Sequence, residues 1–368
     1  MKDDTMDKDA ELVYFRQGAL QEIMEIAKDR IRGSLIGGAV GDALGNPVEF
    51  IGSFEGIQRV YGKNGITDFV LENGVAPITD DTQMTLFTAC AITNTHADDS
   101  ESQIERIKNA YIEWYYTQCG EKNLPPKECW VRDIPELYVQ RAPGLTCLGA
   151  LEEIIQGHEV VNNSKGCGGV MRVAPIGLYY GINDRGKYVR KADKIGGEAA
   201  RITHKHPMGF IPAALITDII YHCMCARNVI QKSEYIRIIR GAFDSMFEIY
   251  PEYSEEIKVF RSLINKAVNL SLRGDFDDVE IIEQELGEGW VADETVAIAI
   301  YCSVKYYDDF EKAIITSVNH KGDSDSTGAV TGNLLGVAVG YDRIPERFKK
   351  NLQLHDVILK VADELYEY

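Results

Sequence analysis

The chain has 368 residues, 45% of them apolar, which supplies a sizeable core and excludes disorder over most of its length. With 57 acidic against 39 basic residues the formal net charge is −18, so no global basic field exists to neutralise nucleic-acid phosphates or an anionic membrane; any anionic ligand must be held locally, by metal or by backbone amides. The eight cysteines stand at irregular spacings with no CxxC pair, the usage of a reduced, cytoplasmic protein.

The opening MKDDTMDKDAELVYF is acidic where a secretory signal would be basic, and no apolar run approaches membrane-spanning length. Residues 1–30 read as an extension: a disordered start, then an amphipathic helix over 11–31 carried by Leu12, Phe15, Leu20, Ile23, Met24 and Ala27. Beyond it, helical periodicity recurs over 79–94, 100–118, 147–156, 187–202, 209–231, 233–249, 254–272, 290–306, 309–318 and 326–340, whereas strand-like alternation is scarce. An all-α fold follows. No Ser- or Pro-rich linker divides the chain, so 31–368 is expected to form one domain. Within it glycines recur every fourth residue at Gly33, Gly37, Gly41 and Gly45, and again at Gly328, Gly332, Gly336 and Gly340. Each glycine costs a helix about 1 kcal/mol relative to alanine, so a four-residue spacing implies that something approaches the backbone closely, most simply another core helix.

Each glycine set adjoins an acidic cluster. Thr79-Asp80-Asp81-Thr82 precedes one apolar helix, and Asp323-Ser324-Asp325-Ser326 precedes the second glycine-spaced one. Either cluster alone is what a helix N-terminus favours, through its unpaired amides and dipole. Two of them, each beside close-packing glycines, suggest a shared site in which cations separate the carboxylates; all-oxygen ligation suits Mg²⁺ or Mn²⁺ rather than zinc. Gly166-Cys167-Gly168-Gly169 is a candidate for presenting backbone N–H groups to an anion, without the ending of a Walker loop. Thr203-His204-Lys205-His206-Pro207 offers polar groups between two helices, for capping or for ligand contact.

Taken together and in order, GSLIGGAVGDALGNPVEF, ITDDTQMTLF, RAPGLTCLGALE, GCGGVMRVAPIGL, RITHKHPMGF, WVADETVAIAIYC and HKGDSDSTGAVTGNLLG resemble the ADP-ribosylglycohydrolase family, which includes the dinitrogenase reductase-activating glycohydrolase and the ADP-ribosylarginine hydrolases. The resemblance runs from about Ile31 to Gly340. It implies a compact orthogonal multi-helix bundle with a binuclear Mg²⁺ or Mn²⁺ centre in a cleft. By motif position Thr79, Asp80, Asp81, Asp323, Asp325 and Ser326 look like metal ligands, and Glu49 like the acid that lies over the metals. Gly166, Cys167, Gly168 and Gly169 would wrap the ADP-ribose, with His204 lining the same cleft. Asparagine is common in the family where Cys167 stands, and in many relatives at Leu145. The implied reaction is hydrolysis of the bond between ADP-ribose and a protein side chain, arginine before serine, with Asp81 or Glu49 assisting the attacking water. A two-metal phosphoesterase would use the same oxygen ligands, and a non-catalytic relative would keep the fold, although every expected ligand is present. The partners implied are an ADP-ribosylated protein and, through the acidic residues 1–30, a cognate ADP-ribosyltransferase toxin that an immunity-type antagonist would block; neither nucleic acid nor a membrane is expected.

Overall fold

The computed structural model describes residues 5–93, 100–120, 126–183, 189–274 and 276–367, with the backbone alone at 5–17, 19, 20 and 189. It is 73% helical, and no strand occurs among the described residues. In chain order the helices are α1 (Thr5–Gly45), α2 (Phe54–Tyr61), α3 (Asp80–Thr93), α4 (Ser100–Cys119), α5 (Leu145–Ile155), α6 (Ala174–Asn183), α7 (Val189–Arg201), α8 (Pro207–Cys225), α9 (Lys232–Ile249), α10 (Ser254–Ser271), α11 (Asp278–Ile281), α12 (Ala292–Lys305), α13 (Phe310–Val318), α14 (Ser324–Val339), α15 (Glu346–Lys350) and α16 (His355–Glu367).

The two helices that the glycine spacing singles out pack antiparallel, backbone against backbone. A Cβ on Gly33 would lie 2.4 Å from the Gly336 carbonyl oxygen, one on Gly37 2.5 Å from that of Gly332, and one on Gly41 2.0 Å from that of Gly328. Each four-residue step up α1 is therefore matched by a four-residue step down α14. Between the glycines, Ser34 Oγ donates to the Asn333 carbonyl at 3.0 Å and Asn333 Nδ2 donates back to the Ser34 carbonyl at 2.8 Å, which fixes the register. At the far end the same alignment brings Gly45 against Ser324 and Asp325, so the C-terminus of α1 meets the N-terminus of α14.

The helix expected over 11–31 and the first glycine run are one element, α1, with no break at residue 30. Arg30 is buried and donates to the carbonyls of Cys223, at 3.0 Å, and Asn228, at 2.6 Å, satisfying acceptors at and beyond the end of α8. The last residues of the presumed extension thus belong to the body of the protein. Of the expected disordered start, residues 1–4 lie outside the described residues and 5–10 are helical in backbone; the side chains of the proposed transferase-binding arm up to residue 17 are likewise outside them.

Helix α8 is an exception to the expectation that no apolar run approaches membrane length. Its 19 residues are long and apolar enough by composition, yet 89% of that stretch is buried inside the protein, which makes it a core helix. It starts at Pro207, where His206 Nδ1 accepts from the Met208 amide at 2.9 Å, and ends at Cys225 rather than 231. Helix α6, which periodicity misses, is buried on all sides from Ala174 to Gly181 and so carries no polar face to reveal it.

Replacing Gly332 by alanine places a Cβ 1.9 Å from the Gly37 carbonyl oxygen, with only backbone to yield. Urea denaturation of Gly332→Ala is expected to show a loss of about 3 kcal/mol. Gly241→Ala, on the exposed face of α9 with nothing within 4 Å of the new methyl, is expected to gain about 0.5–1 kcal/mol.

Candidate functional site

Three helix ends meet at the closed end of the α1–α14 pair. From inside α1, fully buried Asp42 accepts the Thr79 amide at 3.0 Å and the Thr82 amide at 3.1 Å, together with the Thr82 hydroxyl. One carboxylate thereby clamps the segment that starts α3. Burial, with Asp325 nearby, pushes the Asp42 pKa up to about 7 against the pull of these donors. Just beyond α1, the short turn Asn46–Val48 carries Glu49 back over the start of α14. The α14 cluster is placed by Gly322, whose φ of +125° and approach to the Glu288 carbonyl exclude a side chain, and by the Asp323 amide, which donates to that carbonyl at 2.9 Å.

The capping roles expected of these acids are real but partial. Asp323 caps α14 by accepting the Ser326 amide at 3.3 Å, and Thr79 Oγ1 accepts the Asp81 amide at 3.3 Å. The remaining oxygens gather instead. Glu49, Asp323 and Asp325 each place an oxygen within 4.8 Å of the others. Asp80 and Asp81 lie on the floor of the same cleft, and Asp80 Oδ2 accepts the Gly144 amide at 3.0 Å. All five side chains are at most 7% exposed, and Glu49 Oε2 and Asp81 Oδ1 have no hydrogen-bond partner. Burial and the neighbouring carboxylates together push Glu49 up to about 10 and drive Asp80, Asp81 and Asp323 well above the carboxylate range. So many buried acids repel one another unless cations or protons intervene.

The cleft above this floor encloses about 620 Å³. Gly166, Cys167, Gly168 and His204 form one wall, and Ser326 joins the floor. Thr79 and Gly169 are not among the residues that line the cleft: Thr79 is wholly buried at the start of the α3 segment, and a Cβ on Gly169 would lie 2.8 Å from the Gly209 carbonyl oxygen. The glycine segment also offers an anion fewer amides than its composition suggests. The Gly166 amide donates to Ser164 Oγ at 3.2 Å and that of Cys167 to the Trp290 carbonyl at 3.3 Å. Its glycines answer to close packing: a Cβ on Gly168 would lie 2.8 Å from Cys147 Sγ and 3.2 Å from the His204 ring. Cys167, where asparagine is common, donates its thiol to Asp323 Oδ2 at 2.7 Å, and Leu145 stands 86% exposed at the rim.

Sequence reasoning missed Asp42, Arg172 and the aromatic rim. The first two are lone charges inside apolar runs, GAVGDALG and GVMRVAP, which is the signal that would have found them. At the mouth, Phe50 and Trp290 stack with centroids 6.2 Å apart and planes at 27°, both substantially exposed. Phe50 follows Glu49 directly.

Known proteins share this chain's pattern. A family model described as ADP-ribosylglycohydrolase matches residues 24–368, beginning inside the extension expected over 1–30. ADP-ribosylhydrolase ARH1 of Dictyostelium discoideum is 24% identical over 397 residues, covering 92% of this chain and 94% of that protein. ADP-ribosylarginine hydrolase Tri1 of Serratia proteamaculans is 24% identical over 343 residues, covering 92% and 79%. A solved structure titled "ADP-ribosylglycohydrolase-related protein complex" has the same fold, with a TM-score of 0.61 and 23% identity over 93% of this chain and 99% of that one. Matched over nearly its whole length and floored by an acidic cluster able to hold metal, the chain belongs to the ADP-ribosylglycohydrolase family, metal-dependent hydrolases of ADP-ribose conjugates.

Proposed function

We propose that this protein removes ADP-ribose from arginine side chains of a modified protein by hydrolysing the C1″–N bond, with two Mg²⁺ or Mn²⁺ ions as cofactors. The observation that carries the reading is the convergence of Glu49, Asp80, Asp81, Asp323 and Asp325 on one buried floor, where burial and the charge of Asp325 raise the pKa of the other four. These carboxylates, with the Ser326 hydroxyl beside them, are the residues that would hold the ions, by the hard-oxygen preference of both metals. When bound, the ions supply positive charge that grips the ribose hydroxyls and acidifies a water.

The chain's own groups account for the rest. Glu49 Oε2 or Asp81 Oδ1, both without a hydrogen-bond partner on residues that line the cleft, accepts the proton of the attacking water, and that proton passes on to the leaving guanidine nitrogen. As the C1″–N bond lengthens, positive charge develops on the ribose directly over the acidic floor, which favours it. The enclosed shape fixes the sugar relative to both oxygens. Arginine as the linkage is supported by the rim: a guanidinium is a planar cation that stacks on aromatic faces, and the Phe50–Trp290 pair stands beside Glu49, where the modified side chain would leave. The name of the Serratia relative, an ADP-ribosylarginine hydrolase, supports the same choice.

Incubation with arginine- and serine-linked ADP-ribosyl peptides, with and without Mg²⁺ or Mn²⁺, tests the reading. Release of intact ADP-ribose from the arginine substrate, only with the metal, is expected; release of AMP or phosphate overturns it. Asp81→Asn is expected to lower kcat at least about a hundredfold. Trp290→Ala is expected to raise KM for the arginine substrate roughly two- to thirtyfold, the range of a desolvated cation–π contact, and to leave the serine substrate within about twofold.

The acidic floor also sets a pH dependence. In the folded chain without metal, Glu49 keeps its proton up to about pH 10, whereas unfolded it ionises near 4.5, so unfolding releases protons between those limits. The contribution is fully present below the unfolded value and is lost as pH rises toward 10. Thermal unfolding in chelator is expected to show a falling Tm from pH 5 to 9, less steep in Glu49→Gln because Asp80, Asp81 and Asp323 still contribute, with Mg²⁺ restoring stability at the alkaline end.

A further inference from the structure

Behind the glycine wall of the cleft lies a buried guanidinium that the reaction does not touch. Arg172 has no exposed surface. Its Nη1 donates to the sulfurs of Met84 and Cys147, each at 3.4 Å, and its face covers the Tyr111 ring at 4.1 Å. Nη2 donates to the Ala199 carbonyl at 3.2 Å and, more closely, to Thr203 Oγ1 at 2.7 Å. Thr203 Oγ1 in turn lies 2.8 Å from Nδ1 of His204, whose ring lines the cleft beside Gly166 and Gly168.

The direction of these bonds follows from what each group can do. A guanidinium only donates, so one lone pair of the Thr203 hydroxyl is occupied and its single proton must go elsewhere. The acceptors within reach are His204 Nδ1 at 2.8 Å, the Ala200 carbonyl at 3.4 Å and the weakly accepting sulfur of Cys147. A hydroxyl bond of 3.4 Å is well beyond the usual length and one of 2.8 Å is at it, so the proton goes to the ring. Nδ1 is then the acceptor, and the proton of a neutral imidazole must sit on Nε2. Burial and the Arg172 charge lower the His204 pKa to about 3, which keeps the ring neutral at physiological pH. Nε2 is the ring atom nearest a Cβ built on Gly166, at 3.2 Å, and Gly166 and His204 both line the cleft.

We propose that Arg172, acting through the Thr203 hydroxyl, holds His204 in the Nε2–H tautomer, so that the ring is a permanent neutral hydrogen-bond donor to the anionic part of an ADP-ribosyl ligand. Arg172 and Thr203 are thus positioning residues, and the proposal rests on the reading of the cleft as an ADP-ribose site. It explains how a chain of net charge −18 equips one wall for an anion. The donor is an uncharged N–H backed by a buried cation, and it does not depend on pH in the range where proteins work.

The test compares Thr203→Val, which keeps the shape and removes the hydroxyl, with Thr203→Ser, which keeps the hydroxyl. In full-length protein labelled with ¹⁵N-histidine, the His204 signals being those lost in His204→Gln, the wild type and Thr203→Ser are expected to show Nδ1 bare and Nε2 protonated from pH 5 to 8. In Thr203→Val that preference should be lost, and calorimetry should show free ADP-ribose binding about tenfold more weakly, the worth of one good hydrogen bond, with wild-type affinity returning in Thr203→Ser. A Thr203→Val ring that stays protonated on Nε2 overturns the relay. A shifted tautomer with unchanged ADP-ribose affinity overturns the donor role. If the wild type binds no ADP-ribose, the reading of the cleft fails, while the ring's protonation in the three proteins still decides the relay.

Discussion

The constraint on which the rest of this structure depends is the backbone contact between α1 and α14. Where side chains separate two helices they also cushion them, and small changes are absorbed by rotamers. Here the carbonyls of one helix fill the space a Cβ of the other would take, so the pair has neither cushion nor freedom to slide. That rigidity is what lets acids from distant parts of the chain converge. Glu49 follows α1, Asp323 and Asp325 open α14, and Asp42 ties the start of α3 to the same rod. The bland reading of the glycines, as helix packing, and the functional one, as a mark of the site, are the same fact.

The floor so assembled is a poor structural element and a good binding one. Its carboxylates are buried, mutually repelling and in part without hydrogen-bond partners, features that a core optimised for stability avoids. Their arrangement stores unfavourable electrostatic energy that cations would relieve, which strengthens binding at the cost of the bare fold. The neighbouring wall uses the opposite device. There a buried cation, Arg172, stands behind the Thr203 hydroxyl and the His204 ring that lines the cleft.

Much of this was legible before any coordinates. Most of the long helices announced themselves by period, and the acidic clusters were visible as overfull N-caps. What periodicity could not reveal was α6, apolar all round, or which partner the glycines of α1 had come close to, since a four-residue spacing reports the approach and not its object. Glu49 has no local signal at all; its place came only from the resemblance of GDALGNPVE to a family motif. The run Gly166–Gly169 carries two requirements that composition does not separate, because glycine is needed equally by a ligand and by a neighbouring ring: a Cβ on Gly168 would meet Cys147 and His204. Asp42 and Arg172 were passed over because a single charge in an apolar run looks like noise, although burial makes such a charge expensive enough to demand a purpose.

The adjacency of Glu49 and Phe50 has a mechanical side. Consecutive α-carbons are held about 3.8 Å apart by a planar peptide, so the acid over the floor and the ring at the mouth share one short, stiff piece of backbone just beyond the end of a rigid helix. The Glu49 amide donates to the Gly45 carbonyl at 3.1 Å and that of Ile51 to the Val48 carbonyl at 2.9 Å, so the piece that carries both side chains is tied back to the helix end and turn it leaves. Mouth and floor of the cleft are thereby joined through a single peptide.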